Sequence, residues 1–183
     1  MTARLMDEIV DFWFDEACKP YWFNARPTFD QLVRDTLLEH YERAANGDFD
    51  DWADDVDGAL ALCILLDQAP RNCFRGQARA FATDDRARQV AIKALREGYD
   101  LECDEDERLF LYLPFMHHED IDSQDAAVRL IAERCPKPEA VDAAARHREI
   151  ILRFGRFPHR NIALSRDTTP DEAAFLLESS SSF

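Results

Sequence analysis

Apolar residues recur along this chain at intervals of three and four, the period of a helix buried on one face. Leu5, Ile9, Phe12 and Trp13 form one such stripe between Arg4 and Phe14. Leu32, Leu37 and Tyr41 form the next, in a helix opened at Pro27-Thr28 with Thr28 as cap and stopped at Gly47. From Asp54 to Leu66 the chain turns apolar nearly all round after Val56, which predicts a buried central helix. Pro70 is expected to end it, because proline has no backbone donor and disfavours helix in the residue before it. Thr83-Asp84-Asp85 caps a helix closed by Gly98. Acids from Asp104 to Glu107 open another, suited to a positive helix end, with a kink expected at Pro114. Ser123 to Glu133, Pro138 to Phe154, and Pro170 to Glu178 behind the cap Thr169 complete the series. No run alternates as a strand would. The pattern predicts an all-α chain of antiparallel helical hairpins, one domain over residues 1–178 and a frayed tail at 179–183.

Composition narrows the classes. A chain of 183 residues is enough for one domain that buries about 70% of its unfolded surface. Five glycines argue against a loop-rich or all-β protein. The start lacks a basic-then-apolar leader, and the longest apolar run, Gly58 to Leu66, is too short to span a bilayer. Five cysteines, none in a C-x-x-C pair, fit reduced thiols and a cytoplasmic location. The net charge of -15 makes nucleic acid a poor partner.

That charge is segregated. Residues 1–57 hold fifteen acids against five bases, and residues 97–125 hold eleven against Arg108 alone. Two basic islands interrupt them, and each carries a similar turn. Gln68-Ala-Pro-Arg-Asn-Cys-Phe-Arg-Gly76 is echoed by Arg156-Phe-Pro-His-Arg-Asn161. Arginine presents a planar fork of donors suited to carboxylate or phosphate. Arg71, Arg75, Arg156 and Arg160 are therefore candidates to clamp one anion, with Asn72 and Asn161 orienting it. The alternative is structural: Asp67 sits at a helix C-terminus, where it needs a compensating cation such as Arg71.

Several strings, taken in order, carry a resemblance. They are Phe12-Trp13-Phe14, Trp22-Phe23, Leu66-Asp67-Gln68-x-Pro70-Arg71-Asn72-x-Phe74-Arg75-Gly76, Phe81-Ala-Thr-Asp84, Tyr112-Leu-Pro-Phe-Met-His117-x-Glu119-Asp120, and His147 followed by Phe154-Gly-Arg-Phe-Pro-His-Arg-Asn161. Over nearly its whole length the chain resembles the bacterial family known as domain of unknown function 924. The resemblance implies an all-helical, tetratricopeptide-like architecture and assigns no activity. Ala69 stands where a phenylalanine is expected and His118 where a serine is expected. No tetratricopeptide consensus repeats at a fixed period, so the likeness concerns architecture alone.

Further candidates lie between the islands. Arg108, Tyr112, Phe115 and Glu119 are spaced four, three and four apart, one face of a helix, and could line a polar cleft or knit a salt-bridge network at the Pro114 kink. Trp22 could floor a pocket. His117-His118 cannot both chelate one ion, since adjacent helical residues point about 100° apart, and no metal-ligand spacing occurs. No nucleotide or hydrolase loop motif is present, and no cofactor is implied. Three readings are open. The first is a binding module whose four arginines, with Trp22, Arg108 and Tyr112 in the walls, hold an anionic small molecule or peptide group. It requires those guanidinium groups to lie together, unsaturated by internal carboxylates. The second is a hydrolase or transferase in the same pocket, with His117 or His159 as general base and Glu119 or Asp67 as its orienter. It requires a histidine within hydrogen-bond reach of a carboxylate. The third is an adaptor binding a protein partner or a second copy of itself.

Overall fold

The computed structural model describes residues 2–178; the tail expected at 179–183 lies outside them. Among the described residues all regular structure is helical. The helices are α1 (Thr2–Phe14), α2 (Pro27–Asn46), α3 (Val56–Cys63), α4 (Ala69–Cys73), α5 (Asp84–Glu97), α6 (Glu105–Met116), α7 (Ile121–Arg134), α8 (Pro138–Phe154) and α9 (Pro170–Phe175), with short 3-10 turns between several of them. Their ends obey local chemistry. Asp104 and Glu107 close a reciprocal capping box on α6, and Thr169 and Glu172 do the same on α9. Gly47 and Gly98 end α2 and α5 in the left-handed conformation that glycine adopts without strain. Thr28 is not a cap: α2 begins with Pro27 in its first turn and Arg26 at the cap position, where the missing proline donor costs nothing.

Pro70 does not end the central helix. The chain passes from α3 through a wide turn, Ile64–Gln68, in which the Ala69 amide donates to the Ile64 carbonyl five residues back, and continues as α4. Pro70 has no N–H to offer the Leu66 carbonyl, and the Thr83 hydroxyl supplies that donor from across the core at 2.6 Å. This explains why Thr83, at the N-terminus of α5, makes no side-chain cap there.

α1 packs on α3, α2 on α4, and α3 on both α5 and α6. α3 also approaches the turn at 50–54 closely at Gly58, where a Cβ would lie 2.2 Å from the Trp52 carbonyl oxygen. The core is aromatic at its centre: Trp13 and Phe110 meet edge-on at 5.7 Å, and Trp13, Tyr41, Trp52, Phe110 and Phe157 are fully buried. Side chains of this kind contribute about 1.5–3 kcal/mol each through burial. In the second half consecutive helices pair, α6 with α7 and α7 with α8. Lys137, preceding α8, pairs with Asp106 at the start of α6, while the ring of His117, just past α6, lies 6.1 Å from that of His147 late in α8. α6 and α8 therefore run in the same direction, with α7 returning between them. No described helix is long and apolar enough to cross a membrane.

Candidate active site

The groove between α6 and α8 opens into a cavity of about 970 Å³. Leu109, Leu113 and Met116 line it from α6, and Ala140, Ala143 and His147 line it from α8. Each set keeps the three-and-four spacing of one helix face. Trp22 and Phe23 form an aromatic wall, and the first echoed turn contributes Gln68, Arg71, Asn72 and Arg75. Asp106, Lys137 and Glu139 stand at one end; His117, His159 and Arg160 lie at the other, where α6 finishes.

The wide turn at 64–68 presents Asp67 to His117. Nδ1 of His117 lies 2.8 and 2.9 Å from the two Asp67 carboxylate oxygens. Asp67 is 1% exposed and also has the Gln68 amide at 2.5 Å and the Arg71 guanidinium at 3.2 Å. Burial alone would raise the Asp67 pKa, but Arg71 and His117 outweigh it and hold the carboxyl below the usual range. Burial and the Arg71 cation together lower the His117 pKa below 6.5 despite the carboxylate. The imidazole is then neutral at pH 7, and its proton sits on Nδ1, where the carboxylate accepts it. Its Nε2 carries the lone pair and has no hydrogen-bond partner among the described residues. His147 holds its own Nδ1 proton against the Ala143 carbonyl at 2.8 Å, and burial with neighbouring His117 pushes its pKa down to about 3. Burial and adjacent Arg160 bring His159 to about 4.

Arg71 and Arg160 do converge on one anion, and that anion is the protein's own Asp84. Arg71 binds it through both terminal nitrogens at 2.8 and 3.1 Å, and Arg160 binds it at 3.0 Å. Arg160 also donates to the His117 carbonyl at 2.8 Å, which fixes the backbone of the histidine. Phe81 and Phe157 flank its guanidinium, 4.4 and 4.7 Å from their ring centres. The Asp67–Arg71–Asp84–Arg160 group is thus formally neutral: two rigid cations beside a neutral imidazole.

The family model for bacterial proteins of unknown function, DUF924, matches residues 9–180. The chain belongs to this family. A solved structure of a protein of unknown function from Agrobacterium tumefaciens is 44% identical to this DUF924 protein, covers 98% of its chain and 100% of its own, and superimposes with a TM-score of 0.92. No curated protein matches the chain.

The four-arginine clamp expected for this DUF924 protein does not form, because every one of the four is held by an internal carboxylate. Arg75 binds Asp30 of α2 at 2.7 and 2.8 Å, and Asn72 donates to the same carboxylate. Arg156 lies outside the cavity and grips Glu172 at 2.6 and 2.9 Å, tying α9 to the end of α8. Asn161 is fully buried between Thr168, Glu172 and Arg166. The stripe Arg108–Tyr112–Phe115–Glu119 does not line one cleft either. Arg108 caps the carbonyls of Asp100, Cys103 and Arg134, and Tyr112, fully buried, donates to Asp100 at 2.5 Å. α6 stops at Met116, which takes Glu119 off the stripe; Glu119 accepts from the Phe157 amide and from both ends of Arg166. Glu119 is therefore not the orienter of a histidine.

His118, the departure from the family pattern, faces Asp85 at 2.9 Å, and Ala69 is fully buried. Cys73, flanked by arginines in sequence, is buried, which pushes its thiol up to about 11 and leaves no thiolate near neutral pH. The cavity also contains a residue that the turn motifs do not single out. Arg146, exposed on the cavity face of α8, forms no ion pair among the described residues. Its signal in the sequence is its place in the 139–140–143–146–147 spacing of α8, legible only once that face is known to border a cavity.

Proposed function

We propose that this protein is an enzyme, a hydrolase or transferase in which His117 is the general base and Asp67 its positioning carboxylate. One observation carries the reading. A neutral imidazole on a cavity wall has one nitrogen bound to a buried carboxylate at 2.8 Å and the other without a partner among the described residues. Such a pair withdraws a proton from a water or hydroxyl placed at Nε2, and Asp67 stabilises the imidazolium that results. Arg71, fixed by Asp67 and Asp84 on the same lining, contributes oriented N–H groups rather than net charge to the surroundings of the reacting atoms. The binding-module reading loses its four-arginine clamp but keeps the cavity, and the two readings differ in whether turnover depends on Nε2.

The test is hydrolysis of 4-nitrophenyl octanoate and 4-nitrophenyl phosphate by the wild type, His117→Gln and Asp67→Asn. General-base catalysis contributes about 10²–10⁴ in rate. His117→Gln should lose that much, and Asp67→Asn less, with a displaced pH–rate profile because the imidazole loses its anionic partner. Turnover that survives His117→Gln unchanged would sink the reading.

A further inference from the structure

Among the described residues the cations lining the cavity other than Arg146 are all matched: Arg71 and Arg160 by Asp84, Arg75 by Asp30, and Lys137 by Asp106. In a chain of net charge -15 an unmatched arginine facing a cavity is not explained by a shortage of acids. Arg146 lines the same cavity as His117 and His147, whose rings lie 6.1 Å apart, and stands on the α8 turn that carries His147. Arg160 on the same lining is 6% exposed and has its terminal nitrogens committed to Asp84 and the His117 carbonyl, which leaves Arg146, among the described residues, as the cation free to meet an anion. The groove running from that end is apolar. Leu109 to Met116 spans about 10 Å at 1.5 Å per helical residue, faced by Ala140 and Ala143, whose small side chains leave it room.

We infer that the site takes an amphiphilic acid: a substrate whose carboxylate or phosphate pairs with Arg146 and whose apolar chain lies along Leu109, Leu113 and Met116. This deepens the reading above and takes from it only that the cavity is the site of action. The charge fixes which end of the molecule stands beside His117, and the groove rewards chain length through buried apolar area. Acids without an apolar chain, and chains without an acid, each engage half of the site.

Calorimetric titration of the full chain with octanoate, octanol and acetate tests this independently of turnover. Octanoate should bind about tenfold or more tighter than octanol, as expected for one charge-assisted guanidinium contact, and acetate should show no measurable binding. Arg146→Gln should bring octanoate down to the level of octanol and leave octanol unchanged. Arg148→Gln, which removes the same charge from a neighbouring residue already paired with Asp125, should leave octanoate binding at the wild-type value. Octanoate that does not bind, that binds equally to Arg146→Gln, or that weakens as much in Arg148→Gln overturns the inference. Binding that depends on Arg146 without any turnover would remove the catalytic reading and keep this one; turnover with octanoate affinity independent of Arg146 would do the reverse.

Discussion

Two buried carboxylates sit at opposite ends of α6, and their surroundings are alike in kind. Asp100, near its start, meets Tyr112 and Arg134; Asp67, near its end, meets His117 and Arg71. Both acids are essentially inaccessible, at 0% and 1% exposure. The difference lies in the ring. Tyr112 is sealed in the core and commits its only side-chain polar atom to Asp100, whereas His117 lines a cavity and has a second nitrogen beyond the one that meets Asp67. A buried ion pair alone is weak evidence of chemistry, because structural networks build the same contacts. Both clusters keep a polar atom without a partner among the described residues, Oδ1 of Asp100 in one and Nε2 of His117 in the other; what separates them is that His117 lines a cavity and Asp100 is sealed in the core.

That contrast can be broken by substitution. The largest expected effect is at the sealed end. Arg134→Ala leaves the Asp100 carboxylate buried with Tyr112 as its remaining partner, and should cost about 3–5 kcal/mol in urea unfolding. A loss below about 1 kcal/mol would mean that the Asp100 cluster is not a structural counterpart of the Asp67 cluster. His117→Gln, by comparison, should act chiefly on turnover, since Asp67 keeps Arg71 and Gln68.

A smaller effect sharpens the comparison through pH. His147 has a pKa of about 3 in the folded protein against 6.5 for the free side chain. Between those values the unfolded chain holds a proton that the native ring lacks, so stability rises with pH across the interval. Acidification from about 6.5 toward 3 should remove up to about 1.4 kcal/mol per pH unit from this group. His147→Gln should flatten that limb of a thermal-melting curve against pH, while Tyr112→Phe should not change its slope. The smallest effect belongs to the first echoed turn: Arg75 is half exposed, and Arg75→Ala should cost no more than about 1 kcal/mol. A melting temperature collapsing in that variant would show that the Asp30 contact carries far more than a surface pair.

The helices are legible in the sequence because burial on one face leaves a periodic record. The bounds Pro138–Phe154 are visible to the residue, and the glycine stops at 47 and 98 are marked by the conformation they require. The passage through Pro70 is not legible, because it depends on Thr83, thirteen positions away, supplying the missing donor. The site residues show as types and not as pairs. His117 and Asp67 are both candidates, yet they lie fifty residues apart, and nothing local selects Asp67 over Glu119. The arginines mislead for the same reason. Sequence exposes their clustering but hides Asp30, Asp84 and Glu172, the acids that reach them from other helices. Arg146 escapes notice because nothing marks the absence of a partner in one dimension.

The wide turn at 64–68 makes the position of Asp67 a matter of chain length. An ordinary helical turn over the same stretch would be one residue shorter, and dropping one residue rotates the helix beyond the turn by about 100° relative to the helix before it. Asp67 would then leave His117, although every remaining side chain kept its identity. The pairing is therefore protected less by which residues occupy the turn than by how many there are, and an insertion or deletion there would act where most substitutions would not.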